Sequence, residues 1–235
     1  MSMYLVTVLE LRVSKFLRKN KDILRKNRKY TCARSPYYTD LPLKESKSLL
    51  RILGIIHGDG NMSGNRILIS ENDINFVKKI SLLFKRNFGL KPNIFHDKKR
   101  NSYYCHIKNS ILYRYLTNVL EVPKGAIRPN LKLPIFVKKL GFKFQKSYIG
   151  GLYDAEGWIS TRQAHIGFSI INKEIRDFIS NILKKCKIKH SISLRNRRKN
   201  IEYELHIYGK YNLKEFQRQI SFQHPLKINK ISTFY

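Results

Sequence analysis

Two short segments carry residues whose types and spacing could do chemistry. Ile52-Leu53-Gly54-Ile55-Ile56-His57-Gly58-Asp59-Gly60 and Ile149-Gly150-Gly151-Leu152-Tyr153-Asp154-Ala155-Glu156-Gly157 correspond at a spacing of 97 residues. Gly54 pairs with Gly151, Gly58 with Ala155, Asp59 with Glu156 and Gly60 with Gly157. Small residues four apart share one helix face and let two backbones approach closely. Each segment closes on an acid followed by glycine, which suits a helix end. An acid at a helix C-terminus meets the negative end of the dipole, a cost of about 0.3–1 kcal/mol each, and two such acids side by side repel. A divalent cation between them reverses the sign of that interaction. Hard oxygen ligands with open water positions suit Mg²⁺, and metal ions flanking a phosphate can activate water and stabilise a leaving oxygen. A lone Gly-Asp-Gly is a common turn; its repetition makes the pair a candidate metal site.

The elements around the segments repeat as well. Leu49, Leu50, Leu53 and Ile56 follow Ser46 at helical spacing and stop at Gly60. A strand is predicted over 66–70, an amphipathic helix over 73–88, strands over 93–96 and 102–107, and a helix over 110–120. After a connector with Pro123, Pro129 and Pro134 the order returns: helix 145–155, strand 164–170, helix 173–186, strands 191–195 and 202–208, helix 211–220. The pattern divides the chain into a basic N-terminal extension (1–44), a first repeat (45–120), a linker (121–144) and a second repeat with a C-terminal tail (145–235). Residues 15–29 hold eight Lys or Arg against one acid, Asp22. They read as a helix with Val13, Phe16, Leu17, Ile23 and Leu24 partly buried. That helix is either an arm along phosphates or a solvated basic face, and less favourably a membrane-surface helix.

Composition narrows the classes. The 235 residues include 47 Lys+Arg and 16 Asp+Glu, a formal net charge of +31, with 42% hydrophobic and 12% aromatic residues. That is apolar material enough for a core, and the charge calls for a polyanion, nucleic acid first. No run of 18 apolar residues is present, so no membrane partner is expected. The apolar start, 4–9, ends at Glu10 without a cleavage-type site, so no secretory signal is expected. Cys32, Cys105 and Cys186 form neither a disulfide framework nor a zinc motif. They suggest thiols in a reducing compartment, and so an intracellular protein, in a prokaryotic cytoplasm or an organelle matrix. No Gly-x-Gly-x-x-Gly or Walker A loop occurs.

The paired segments resemble the two motif copies of single-chain, intron-encoded LAGLIDADG homing endonucleases, and the resemblance runs over roughly residues 46–220. It implies an α+β fold of two pseudo-symmetric αββαββα repeats, with motif helices at the repeat interface and antiparallel sheets forming a DNA-binding saddle. It implies a monomer that cuts both strands of a long double-stranded DNA target, leaving short 3′ overhangs and promoting intron mobility. Asp59 and Glu156 take the place of the catalytic, metal-binding acids, with the carbonyls of Gly58 and Ala155 as further metal ligands. Mg²⁺ is the expected cofactor, Mn²⁺ a substitute, and Ca²⁺ an ion that binds without efficient cleavage. The motif's sixth position is usually Asp; the second copy keeps Asp154 and the first has His57, read as a packing or capping residue. The family also has a polar pocket, often with a lysine, near the strand-to-helix junctions. Here those junctions offer Lys173 and Asn172 in the second half and Asn72 beside Glu71 in the first. Lys173 reads equally as an exposed lysine at a helix start.

Alternation along the strands predicts the nucleic-acid surface. Tyr103, Cys105 and Ile107 should face the helices, leaving Ser102, Tyr104 and His106 to the groove. Tyr203, Leu205 and Ile207 should be core, leaving Glu202, Glu204 and His206 outward. A two-stranded ribbon fits the major groove. Arg66 and the hairpin tips, Lys98-Lys99-Arg100 and Arg195 with Arg197-Arg198-Lys199, complete the expected contacts. Glu202 and Glu204 could accept from cytosine or pair with arginine. Two other activities fit the same scaffold: an RNA maturase that binds intron RNA, and a DNA-binding protein without cleavage. Retention of both acids argues against a degenerate site. Intein splicing signals are not apparent around the block, which favours a free-standing intron protein.

Overall fold

Capping chemistry sets where the elements begin. Ser46 Oγ accepts from Leu49 N at 3.1 Å and opens α2 (Lys47–Asp59), Asp73 opens α3 (Ile74–Phe88), and Asn109 opens α4 (Ser110–Asn118). Asn172 does the same further along the chain. Each side chain satisfies an amide that the first helical turn leaves without a partner. Gly89, at φ 65°, supplies the left-handed residue that ends α3.

The computed structural model describes residues 7–26, 29–32, 38–127, 130–160, 162–197 and 200–234. The first repeat runs α2, β3 (Gly60–Ser63), β4 (Arg66–Glu71), α3, β5 (Asn93–Asp97), β6 (Ser102–Lys108), α4. The second runs α6 (Phe142–Glu156), β8 (Gly157–Ile159), β9 (His165–Ile170), α7 (Lys173–Lys185), β10 (Ser191–Arg197), β11 (Asn200–Tyr208), α8 (Lys210–Gln219). This is an α+β fold with the order αββαββα twice. Between the repeats lie a two-residue strand, β7 (Gly125–Ala126), and a short helix, α5 (Ile135–Lys139). The sheets are ordered β5-β6-β4-β3-β7 and β10-β11-β9-β8, antiparallel throughout. Equivalent strands therefore occupy equivalent places. One face of each sheet packs on helices through alternate residues, such as Ile67, Ile69, Cys105 and Ile107, and Ile166, Phe168, Leu205 and Ile207. Period-2 alternation produces this division.

The basic N-terminal segment departs from the single helix predicted for it. Helix α1 (Val8–Lys19) begins with a capping box between Thr7 and Glu10 and buries Leu9, Val13 and Phe16. It ends where Asn20 bonds back to the carbonyls of Phe16 and Leu17. The chain then turns into a hairpin of β1 (Ile23–Lys26) and β2 (Lys29–Cys32), so Ile23 and Leu24 are strand residues. Arg114 of α4 fixes the turn by gripping Asp22 at 2.8 Å. The apolar side of α1 is taken up by the protein's own core. The chain closes with α9 (Pro225–Ser232), which had no counterpart in the sequence pattern. No helix among the described residues is long and apolar enough to cross a membrane.

Candidate metal centre and nucleic-acid interface

Helices α2 and α6 meet along their small residues, and the contact leaves no room for side chains. A Cβ on Gly54 would lie 2.2 Å from the Tyr148 carbonyl oxygen and 2.9 Å from Gly151 Cα. A Cβ on Gly151 would lie 2.2 Å from the Arg51 carbonyl oxygen. Towards the helix ends, a Cβ on Gly58 would stand 2.3 Å from Ala155 Cβ and 3.2 Å from Glu156 Cγ. Asp59 and Glu156 thus leave from the same end of the seam. Both are half-buried, whereas His57, Gly58 and Asp154 just inside are buried. Among the described residues no group of three or more His, Cys, Asp and Glu is arranged for a metal ion. A metal here would take its donors from two carboxylates plus main-chain carbonyls, and Gly58 and Ala155 present theirs at the same end. Such a hard-oxygen set suits a small divalent cation.

Two polar clasps tie the helices together, and the 97-residue spacing makes them equivalent. On one side Arg51 Nε donates to Asp154 Oδ2 at 2.6 Å, in a buried ion pair. Gly150 admits the guanidinium, since a Cβ there would be 2.1 Å from Arg51 Nη1. On the other side Tyr148, which corresponds to Arg51, meets His57, which corresponds to Asp154, with Oη 2.9 Å from Nδ1. Burial pulls the His57 pKa down to about 3, so the ring is neutral. His57 is a buried packing residue of the seam.

Of the other expected catalytic residues, Asn172 and Asn72 have hydrogen-bond partners of their own. Asn172 Oδ1 caps α7 through Ile175 N, and its amide donates to the Leu131 carbonyl at 3.0 Å. Lys173 is the exposed first residue of α7. Asn72 Oδ1 accepts from Ser102 Oγ at 2.8 Å, beside the hairpin of β5 and β6.

On the open face of the first sheet, Asn61, Leu68, His106 and Asn93 lie in one row across four strands. The adjacent row, Ser70, Tyr104 and Phe95, carries a ring stack with centroids 5.0 Å apart, and Phe95 is 48% exposed. The corresponding rows of the second sheet are Trp158, Gly167, His206 and Ser191, then Ser169, Glu204 and Ser193. Trp158, 41% exposed, lies over Gly167, where a Cβ would be 2.2 Å from the indole ring. His206 bonds to His165 at 3.0 Å and to Ser193 at 2.9 Å. Arg195 pairs with Glu204 at 3.2 Å. Arg66, Lys98, Lys99 and Arg100 are exposed, and the Asp97 carboxylate shapes their turn by accepting from the Lys99 and Arg100 amides. Arg198, Lys199 and the side chain of Arg197 lie outside the described residues. Glu202 departs from expectation: it is only 6% exposed and so offers no carboxylate to a groove. It stands opposite Arg195 and beyond the last residue of β11 that pairs with β9. Alternation fixes the side from which its side chain leaves, not whether neighbours cover it.

Comparison with known proteins agrees with this geometry. Residues 143–221, which span the second motif helix through α8, match the family model of the LAGLIDADG-like domain. That stretch of the chain resembles a LAGLIDADG-like domain. Among curated proteins it is 28% identical over 214 residues to a probable translation initiation factor IF-2 and 29% identical over 204 residues to a glutamine–fructose-6-phosphate aminotransferase, both of Methanocaldococcus jannaschii. It is 23% identical over 208 residues to a tRNA-splicing ligase RtcB of Pyrococcus furiosus. These alignments cover 86%, 83% and 77% of the chain but 18%, 18% and 21% of the relatives. The chain therefore spans about a fifth of the length of the curated relatives it matches. Among solved structures, I-DmoI in complex with DNA and Mn aligns with TM-score 0.55 and 24% identity over 76% of this chain and 98% of that one. Full-length WhiA from Thermatoga maritima aligns with TM-score 0.54 and 16% identity over 83% of this chain and 61% of that one. At these identities the likeness is one of fold.

At the seam one further group reaches the end of α6. Lys227 of α9 donates to the main-chain carbonyls of Tyr153 and Ala155, each at 3.1 Å, and to that of Asp154. Burial lowers its pKa, and the charges of Asp154, Asp59, Glu71 and Glu156 oppose that shift without overcoming it. Nearby, His224 stacks on Phe76 at 4.4 Å and reaches Glu71 at 3.4 Å. Pro225 at the helix start, with Ile228 and Ile231 three apart, is the sequence signal that could have revealed α9.

Proposed function

We propose that this protein is a site-specific homing endonuclease that cuts both strands of a long DNA target by divalent-metal-assisted phosphodiester hydrolysis. The observation that carries the reading is the convergence of two acid-ended helices at one end of a close-packed seam, between sheets that each leave one face open. Asp59 and Glu156 would hold the metal with the carbonyls of Gly58 and Ala155. A divalent ion so held supplies polarisation of the phosphate and activation of water, with Mg²⁺ as the working ion and Mn²⁺ as its substitute. The protein's own part is to bind and orient the duplex. Arg66, Lys98, Lys99, Arg100 and Arg195 are suited to phosphates and guanine edges, and Tyr104, His106 and His206 line the open faces. Lys173, Asn172 and Asn72 remain candidates for ordering the attacking water. Residues 45–120 and 145–235 act as the two half-sites of a monomer, joined by 121–144.

The curated relatives support an activity independent of their named functions. A translation factor, an aminotransferase and an RNA ligase share no reaction, yet each contains a segment like this one amounting to about a fifth of its length. Such a distribution fits a module that moves between genes and carries the nuclease for its own insertion. The test uses plasmid libraries of uninterrupted candidate loci, incubated with the protein and either Mg²⁺ or EDTA. The reading expects linear product only with the metal. DNA binding without cleavage in Mg²⁺ and in Mn²⁺ would overturn it in favour of a non-cleaving DNA-binding protein, and splicing rescue without cleavage in favour of a maturase.

A further inference from the structure

The seam has a second end. Helices α2 and α6 close on Asp59 and Glu156. At about 1.5 Å per residue, their first turns lie roughly 20 Å from those acids. A cavity of about 620 Å³ opens there, between the repeats. The starts of α2 and α6 and the last turn of α3 form part of its wall. The segment after α8 forms the rest as it crosses from the second repeat onto the first. Arg51 holds that segment through the carbonyls of Ile220 and Ser221, and Lys79 of α3 donates to the Gln223 carbonyl at 3.0 Å.

The lining is rich in one sign of charge. Besides Arg51, whose charge is met by Asp154, it carries Lys47 of α2, Arg86 of α3, Lys143 and Lys146 of α6 and Arg218 of α8, and it holds no Asp or Glu among the described residues. Arg218 pairs with Glu215 at 2.6 Å. Among the described residues no acid pairs with Lys47, Arg86, Lys143 or Lys146. Lys143 and Lys146 rest instead over the rings of Phe144 and Phe142, at 4.9 and 5.0 Å. Glu45, next to the cap of α2, bonds the Leu9 amide of α1 at 3.2 Å.

We propose that this cavity binds a linear run of phosphates, separately from any duplex held over Asp59 and Glu156. Like charges gathered in a concave site without acids focus a positive potential and repel one another until an anion enters. The starts of α2 and α6 add the positive ends of two helix dipoles to that field. The cations come from four helices of both repeats, more than one phosphate can engage, so the fit is to several in line. Leu83 and Ile220 are the apolar side chains of the lining, and no aromatic ring is there to stack a base. The cavity therefore recognises phosphates rather than the groups they carry. Inorganic polyphosphate and the backbone of a single nucleic-acid strand share that chemistry. A ligand that bridges the repeats also stabilises their pairing. The inference is independent of the nuclease reading, since it uses none of the residues proposed to hold metal or duplex.

The test is calorimetric titration of the full chain with sodium tripolyphosphate in EDTA, paired with thermal melting. We expect one saturable site per chain and a Tm that rises with ligand. Lys47→Gln/Arg86→Gln/Lys143→Gln should weaken binding roughly tenfold or more. Two variants with the same loss of charge should weaken it less than about twofold: Lys15→Gln/Arg18→Gln/Lys19→Gln on α1, and Lys98→Gln/Lys99→Gln/Arg100→Gln between β5 and β6. All nine side chains are exposed, and the Tm without ligand checks that each variant folds. Should the cavity variant fail to fold, Arg86→Gln alone takes its place, with an expected loss of about threefold. Displacement of tripolyphosphate by a short oligouridylate supports the site with a nucleic-acid strand as its ligand. Saturable binding without that displacement supports it with inorganic polyphosphate. No saturable binding by the native chain, or equal weakening in all three charge-matched variants, would overturn the proposal and leave only a diffuse basic surface.

Discussion

The two sides of the motif seam use one geometry and two chemistries. Residue 51 or 148 of one helix reaches residue 57 or 154 of the other, so the pseudo-symmetry of the repeats extends to the clasps. One clasp is the buried ion pair Arg51–Asp154, supported by the carbonyls of Ile220 and Ser221 and by two amides on Asp154. The other is a neutral hydrogen bond, Tyr148–His57, with rings edge to face at 5.6 Å. The small residues set the helix approach and tolerate no change. The clasps only need a matched donor and acceptor, and each half has met that need differently. The ionic side also recruits the C-terminal segment, and with it Lys227, to one end of the seam. The open sheet faces diverge in the same way: Tyr104 and Phe95 stack where Glu204 and Ser193 stand in the other repeat. A long, asymmetric target sequence is what such unlike faces could tell apart.

The largest expected effect comes from the shared feature. Gly151→Val places side-chain atoms against the Arg51 carbonyl, where even a Cβ would be at 2.2 Å. It should cost more than about 4 kcal/mol and abolish cooperative unfolding in a denaturant titration. The clasps should then separate by chemistry. Asp154→Asn leaves a buried guanidinium without its anion and should cost about 3–5 kcal/mol. Tyr148→Phe removes one neutral hydrogen bond and should cost about 1–2 kcal/mol. Equal losses from the two, measured under the same conditions, would remove the distinction drawn here. The smallest effect is one of pH. Unfolded His57 takes up a proton below about 6.5, whereas the buried ring does so only near about 3. Between those values the unfolded chain binds more protons, so stability should fall as pH falls, by up to about 1.4 kcal/mol per pH unit. His57→Phe should remove that share of the slope, while Asp154→Asn should leave it in place.

Much of this was legible because it is local or periodic. The glycine spacing announced a close helix pair, the period of two separated Cys105 and Ile107 from Tyr104 and His106, and the duplicated order gave the two sheets. What was missed depends on partners distant in sequence. Arg51 sits in an apolar run and gains its meaning only opposite Asp154, 103 residues away. The hairpin at Ile23 and Leu24 is stabilised by Arg114, and nothing in its own basic sequence favours a strand over a helix. Glu202 shows the limit of alternation, which assigns a face but not exposure. Lys227 lies in a tail without motif, and its contact with α6 depends on the tertiary crossing that carries it there. Asn172 illustrates the reverse case: a polar residue at a strand-to-helix junction is as readily a cap as a catalyst, and this one does cap α7.

The central claim is that Asp59 and Glu156 form one metal-dependent cleavage centre over bound DNA. The most direct measurement is strand cleavage and gel-shift affinity, on a target recovered from the library, for the native chain, Asp59→Asn, Glu156→Gln and the double variant. The account predicts Mg²⁺-dependent cutting of both strands by the native chain, loss of double-strand cleavage in each variant, and DNA affinity largely unchanged. Cleavage of both strands by the double variant at the native rate would contradict it.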